Sequence, residues 1–563
     1  MWAGAGTVAP QGRARRWRGL TMDEHQEAFA TLEHGDVEPD DPELSPRRAA
    51  GPDSQPLDGD GGAGSSLETR AVKSFAWAAL SWGGNRLIVF VATIALTWIL
   101  VPQDFGVVAA ALTVTLFLEA GNDLGLSAVV VYEQERGITA RVQTAFSLTL
   151  AISVFACVVG VVAAPFTAAF FNVPDQANIF RALSLYLVIQ GVSQTPAAMM
   201  ARDLNFKRRT SVNLTGAIVR AALSIVLAKA GFGAWAIVIG LLVGQTAATT
   251  VSWWLVRFRP TFHLDVAVAR QMLTFGLPVM AMAFLGTLIT NVDYLVVGNR
   301  LGEGDLGLYQ IGFRVPELIL GGVYILFSNV AFPAYSNARV EGIMKLRNGM
   351  LRALGLLSLF GFTVGVGLAL VARDVVGLFV GPGFAGAATP MALISLTAGV
   401  SAVNFASGDI FPAVGKPGLL LRLNVANLAL TITALVIAAN HGIVWVAFVS
   451  LPVHGIYSLC RVLFANRFVE CTVRDDLRAI RPALWSSAGV LLVAGPVRLL
   501  APAGPASLVA IVVAGVVGAT LALWIGSRST FGEVLALVRR LKPSRPDPAA
   551  GPDAQQPAAA STR

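Results

Sequence analysis

From about Ser74 to Trp524 the chain is a train of apolar segments, each about 20 residues long, the length needed to cross a bilayer core as a helix. The polar breaks between the segments alternate: basic, then nearly free of Lys and Arg, then basic again. Charge bias in short connections sets which side of a membrane each one faces. This pattern leaves few folds open, because in lipid every backbone polar group must be satisfied internally. With 55% hydrophobic and 13% charged residues, a 563-residue chain cannot be one soluble domain. An all-α integral membrane protein is expected.

Apolar runs broken by Gly, Pro or charge predict fourteen transmembrane helices, near 74–100, 106–131, 142–164, 180–200, 211–229, 233–256, 272–298, 308–333, 353–380, 387–411, 419–439, 442–464, 483–501 and 505–527. With the N-terminus inside, the cytoplasmic connections are Glu133–Arg141, Arg202–Arg209, Arg257–Arg270, Ser336–Arg352, Val414–Gly418 and Ala465–Arg481. Most are rich in arginine, whereas Val101–Phe105 and Asn440–His441 carry no Lys or Arg. An even helix count then puts both termini in the cytoplasm. The formal net charge of +8 is spread over alternate connections, where it marks orientation and meets anionic lipid. Nucleic acid is therefore not the expected partner; the lipid bilayer is.

Residues 1–70 are rich in Asp, Glu, Pro and Gly and poor in large apolar side chains, so they form a disordered cytoplasmic tail. Arg13, Arg15, Arg16 and Arg18 are not followed by an apolar run, so they do not open a cleavable signal. Met22 is an alternative start. Residues 531–563 make a second disordered tail. Cys157, Cys460 and Cys471 have no metal-ligand spacing and imply no disulfide framework.

Two echoes divide the apolar train. Asp104-Phe105-Gly106 and Asp305-Leu306-Gly307 recur 201 residues apart, each between one helix and the next. Gly231-Phe-Gly-Ala-Trp235 and His441-Gly-Ile-Val-Trp445 recur 210 residues apart. Their common order and offset predict two pseudo-symmetric six-helix bundles, a first lobe over 71–262 and a second over 263–466. Two further helices lie within 467–530. Transporters are commonly built from such repeats, with the substrate site between them.

Arg202-Asp-Leu-Asn-Phe206-Lys207-Arg208, Pro102-Gln-Asp104-Phe105-Gly106, Phe332-Pro333-Ala-Tyr-Ser336 and above all Asp293-Tyr-Leu-Val-Val-Gly298-Asn-Arg300-Leu-Gly302 with Leu306-Gly307-Leu-Tyr309 resemble stretches of the bacterial polysaccharide transporter family. The resemblance runs in order over residues 70–465. It implies membership of the superfamily of multidrug, oligosaccharidyl-lipid and polysaccharide exporters. The implied fold is a two-lobed helical transporter in the bacterial plasma membrane. The implied activity is outward flipping of a polyprenyl-pyrophosphate-linked oligosaccharide for exopolysaccharide or lipopolysaccharide assembly, alongside a polysaccharide polymerase and glycosyltransferases.

Charges at bilayer depth are costly and face a bundle interior or a wet cavity. Arg86 and Arg220 fall mid-span in the first lobe, and Arg314 in the second. A guanidinium keeps its charge and matches phosphate oxygens bidentately, so these three are substrate-binding candidates; each can equally brace a neighbouring acid. Glu119 and Asp123 are four apart on one helix face and can take up H⁺ or Na⁺, or serve as counter-charges. Glu317 can pair with Arg314 three residues away, as can Asp293. His454 can relay protons or simply bond its own helix. Asp409 is expected in a solvated position at a helix end. Pro316 with Gly321-Gly322 makes the eighth helix the one expected to bend. No phosphate-cradling GxxxxGK[ST] motif or nucleophile with its base is present, so no cofactor is expected and the energy is left to come from an H⁺ or Na⁺ gradient, from downstream consumption of the product or from a partner. A multidrug or cation antiporter of the same superfamily and a membrane glycan polymerase or ligase are the alternatives.

Overall fold

Backbone satisfaction in lipid is met by helices throughout the computed structural model, which describes residues 83–121, 138–202, 206–256, 262 and 265–541. They all lie within one unit, Thr69–Arg563. In chain order the helices are α1 (Gly83–Thr97), α2 (Pro102–Ala120), α3 (Ile138–Phe170), α4 (Ala177–Arg202), α5 (Phe206–Lys229) and α6 (Ala234–Val256). A continuous stretch, Val266–Pro316, is broken at Gly302 (φ 86°), a backbone angle that suits glycine, into α7 (266–301) and the start of α8. The helix α8 (303–340) contains a π-helical turn, Glu317–Gly321, beside Pro316, where the sequence predicts a bend. There follow α9 (Ile343–Phe379), α10 (388–413), α11 (Pro417–Ala439), α12 (Ile443–Val469), α13 (Val473–Leu500), α14 (Pro505–Gly526) and a short α15 (Arg528–Leu541).

By length and composition, eleven of the described helices are able to cross a membrane. The stretch Val268–Val340 counts once among them, and α4 falls outside because its middle carries Gln190, Ser193, Gln194 and Thr195. Large apolar side chains point outward along these helices: Phe155, Phe166, Trp254 and Leu499 are all at least 70% exposed. A surface of that kind belongs in lipid.

The connections poor in Lys and Arg meet at one end of the molecule. Trp98 donates its indole N–H to the Phe379 carbonyl (2.9 Å), and Gly381 N–H donates to Thr97 Oγ1 (3.0 Å). Asn172 and Asn299 exchange side-chain bonds with each other's neighbourhood, to the Asn299 and Phe170 carbonyls at 2.7 and 2.6 Å. At the centre of this end α2 crosses α8 at backbone distance. A Cβ on Gly106 would lie 1.7 Å from the Glu303 carbonyl oxygen, and one on Gly307 would lie 1.9 Å from the Pro102 carbonyl oxygen. The contact is reciprocal: each glycine of the Asp-apolar-Gly echo rests on the residue four before the other glycine. Asp104 earns its place separately, accepting the Val101 N–H (3.3 Å) to cap α2.

One buried apolar cluster spans this end, joining Leu96 and Phe105 to Val296, Leu306, Phe384 and Val446. Toward the basic connections the buried side chains divide into separate clusters, one around Met200 and Ala248, another around Tyr335 and Phe411. The molecule is thus sealed at one end and divided at the other. The helices α13 and α14 dock on α9, where buried Asp374 accepts from Ser507 Oγ (2.6 Å) and Gly504 N–H (3.1 Å).

A side chain at either crossing glycine forces α2 and α8 apart. Gly106→Leu and Gly307→Leu, made in a chain freed of its three cysteines and carrying Ser224→Cys, a buried position beneath the crossing, are expected to raise labelling of that cysteine by an impermeant maleimide more than about tenfold over the Ser224→Cys parent.

Candidate functional site

Directly below the glycine crossing lies a small pocket lined by α1 (Ala92, Thr93, Leu96), α2 (Phe105, Val108), α5 (Arg220, Ser224) and α8 (Gln310, Arg314). Arg220 reaches it because α5 packs tightly on α6, where a Cβ on Gly244 would stand 2.7 Å from that of Arg220. Arg314 comes from the other side, two turns along α8 from Gly307. The two guanidinium groups lie within electrostatic reach of each other. Arg314 also pairs with Glu317 at 3.6 Å, an ion pair in which both side chains stay about a third or more exposed, so its contribution is small. Among the described residues that line the pocket none is a carboxylate. The cavity is about 30 Å³, room for roughly one water, so a larger anion requires α5 and α8 to separate. Two like charges held over so little space repel each other, and an anion between them would offset that repulsion.

The other predicted residues are distributed around this centre. Arg86 is half-buried on α1, one turn before the pocket-lining Val89, and does not itself line the pocket. Glu119 accepts from Gln190 Nε2 (3.1 Å), whose Oε1 accepts from Gln245 Nε2 (2.9 Å), a polar chain linking α2, α4 and α6. Tyr186, one turn from Gln190, is within electrostatic reach of both Glu119 and Arg220. Asp123 lies outside the described residues. Asp293 accepts the Tyr309 hydroxyl (2.9 Å) and the Tyr294 N–H (3.0 Å), which ties α7 to α8 across the Gly302 break. The His454 ring nitrogen bonds the Ser450 carbonyl one turn back (2.9 Å).

Polar groups that a search for charges passes over complete the picture. Gln190 and Gln245 extend Glu119, and Gln310 shares the pocket with the arginines; amides within apolar spans were their visible signal. A second cationic cluster occupies α12: Arg461 donates to the Tyr457 hydroxyl (3.2 Å), which in turn donates to Asn424. Asp409, expected in solvent, instead has its Oδ2 buried beside this cluster, because α10 breaks there and turns the carboxylate inward.

A many-helix membrane bundle of this kind, closed at one end over a central pocket, is the architecture of a membrane transporter. The polysaccharide biosynthesis protein family matches residues 95–389, just over half of the chain, and the chain belongs to that family. It is 22% identical over 377 residues to the lipopolysaccharide biosynthesis protein WzxC of Escherichia coli (strain K12), across 67% of this chain and 76% of that one. With the succinoglycan biosynthesis transport protein ExoT of Rhizobium meliloti (strain 1021) it shares 25% identity over 263 residues, 47% of this chain and 53% of the other. In fold it is similar to the lipid II flippase MurJ in an inward closed conformation, with TM-score 0.66 and 14% identity over 81% of this chain and 99% of that one.

The Asp293–Tyr309 bond carries a charge on one partner and sits at half-buried depth. Tyr309→Phe is expected to cost about 1.5–3 kcal/mol, read as a lowered midpoint of thermal unfolding in detergent, with Asp293→Asn, which keeps an acceptor, costing less.

Proposed function

We propose that the protein is a flippase that carries polyprenyl-pyrophosphate-linked oligosaccharide repeat units across the plasma membrane, for exopolysaccharide or other surface-polysaccharide assembly. The observation that carries this reading is the convergence of Arg220 and Arg314 from two bundles on one carboxylate-free pocket beneath a closed backbone crossing. A pyrophosphate is the part of such a cargo that a bilayer core rejects most strongly, and paired guanidinium groups replace the water it loses. Lobes over 71–262 and 263–466 rock about this point: the glycine crossing parts as the basic end closes, and the head group leaves on the far side. Both termini are placed in the cytoplasm by the basic connections, which makes the sealed end the outer one.

Family membership and the names of its relatives support a place in polysaccharide export, with a polymerase and glycosyltransferases as neighbouring partners. A cation antiporter would line the same pocket with acids, and Glu119 is instead drawn away by Gln190. A polymerase or ligase would present catalytic polar groups on an outer loop, whereas the described connections at the sealed end are turns of a few residues. Transport draws on an H⁺ or Na⁺ gradient, with Glu119, Asp123, Asp293 and His454 as the groups able to take up the ion.

Deleting the gene is expected to accumulate lipid-linked oligosaccharide on the cytoplasmic face, read by lipid extraction and glycan analysis. Arg220→Ala should reproduce that accumulation while the protein reaches the membrane in normal amount. Undiminished glycan export by Arg220→Ala would refute the pocket as the site of transport.

A further inference from the structure

The pocket has two levels. On α5, Arg220 and Ser224 are four apart and share a face; on α8, Gln310 and Arg314 do the same. From Arg220 the α5 helix runs through Ser224 toward Gly233, which abuts Asp104 at the sealed end. The α8 helix leaves the sealed end at Gly307 and reaches Gln310 before Arg314. Both arginines therefore lie on the level farther from the seal, and Ser224 and Gln310 on the level nearer to it.

The two levels offer different chemistry. Guanidinium groups are donors without an acceptor, suited to phosphate oxygens and unable to receive a hydroxyl proton. Gln310 is 7% exposed, and its Oε1 is buried in the pocket with no hydrogen-bond partner. Ser224 is turned against Gly240, whose Cβ would meet its hydroxyl at 2.0 Å, and the Thr93 hydroxyl is engaged with the Val89 carbonyl (2.8 Å), so among the described residues lining the pocket the Gln310 amide oxygen is the unpartnered acceptor. A buried acceptor one turn from a pair of phosphate-matching cations fits a ligand that carries donors one bond beyond its phosphates, and a glycosyl pyrophosphate is such a ligand.

We propose that Gln310 is a specificity-determining residue that accepts a hydrogen bond from a hydroxyl or acetamido N–H of the first sugar, while Arg220 and Arg314 hold the pyrophosphate. The inference rests on the flippase reading above. It gives the protein a way to recognise a loaded carrier lipid by its sugar, independently of the tail it shares with the bare polyprenyl pyrophosphate and of the extra ionisable oxygen on the bare lipid's terminal phosphate. A site built to bond a donor discriminates against a ligand that lacks it, because the buried acceptor is then left unpaired.

The test uses the purified full-length protein in nanodiscs. The probes are undecaprenyl pyrophosphate capped as its methyl ester (the bare lipid of the comparison, which then matches the charge of a glycosyl pyrophosphate) and undecaprenyl pyrophosphate carrying glucose, galactose or N-acetylglucosamine. The wild type should bind at least one glycosylated probe about five- to tenfold more tightly than the bare lipid, the worth of one neutral hydrogen bond. Gln310→Met, which keeps the shape and removes the acceptor, should abolish the preference, read as the ratio of the two affinities falling to about one. Gln310→Asn, with the acceptor withdrawn by one methylene, should fall between them. Arg220→Ala should weaken all probes alike. A preference that survives Gln310→Met, or a wild type that binds bare and glycosylated lipid equally, overturns the role of Gln310 while the flippase reading stands. A wild type that binds none of the probes overturns both.

Discussion

Close approach of two backbones at Gly106 and Gly307 is the contact on which the rest of this structure depends. Helices with side chains at their crossing pack 8–10 Å apart; here carbonyl oxygens fill the space a Cβ would take. That proximity seals one end, draws α5 and α8 toward a common axis, and leaves only a small cavity beneath. It also brings little apolar surface into play at the point of contact itself. The seal is held by the buried apolar cluster around Phe105, Leu306 and Phe384, with a ring of hydrogen bonds at Trp98, Thr97, Asn172 and Asn299 that water is able to replace. A closure made of close fit and replaceable bonds is well suited to opening repeatedly.

The pocket is governed by the cost of charge without solvent. Arg314 has a nearby carboxylate in Glu317, yet that pair is loose and partly exposed. Arg220 lies across from it with Tyr186 and Gln310 for polar company. Two cations held this close repel each other, and the loose Glu317 pair offsets only part of that cost.

Much of this was legible in the residues. The alternation of basic and neutral breaks in the apolar train announces a helical membrane bundle, and Arg220 and Arg314 stand out because so few charges interrupt it. The Asp-apolar-Gly echo marks a repeat, but a sequence does not disclose that the two copies touch each other; the pairing of Gly106 with residue 303 and Gly307 with residue 102 needs the fold. Arg86 satisfies the same rule as Arg220 and falls one turn short of the pocket, since depth along a helix is easier to infer than azimuth. Gln190, Gln245 and Gln310 are visible as amides within apolar spans, but a search for charges passes over them, and their partners emerge only from the fold. Asp409 was misplaced for a different reason: Pro412 marks the break in α10 in the sequence, but not which way the break turns the carboxylate.

The π turn at Glu317–Gly321 bears on how the divided end moves. Such a turn holds one residue more than an α-helical turn, and one residue corresponds to about 100° of rotation about the helix axis. Taking that residue back into α register would swing Tyr324 and Tyr335 away from the α10 carbonyls they now bond, while Gln310 and Arg314 keep their places. The two halves of α8 are in this sense geared separately, and the basic end has a change of phase available to it where a rigid rod would offer only a tilt.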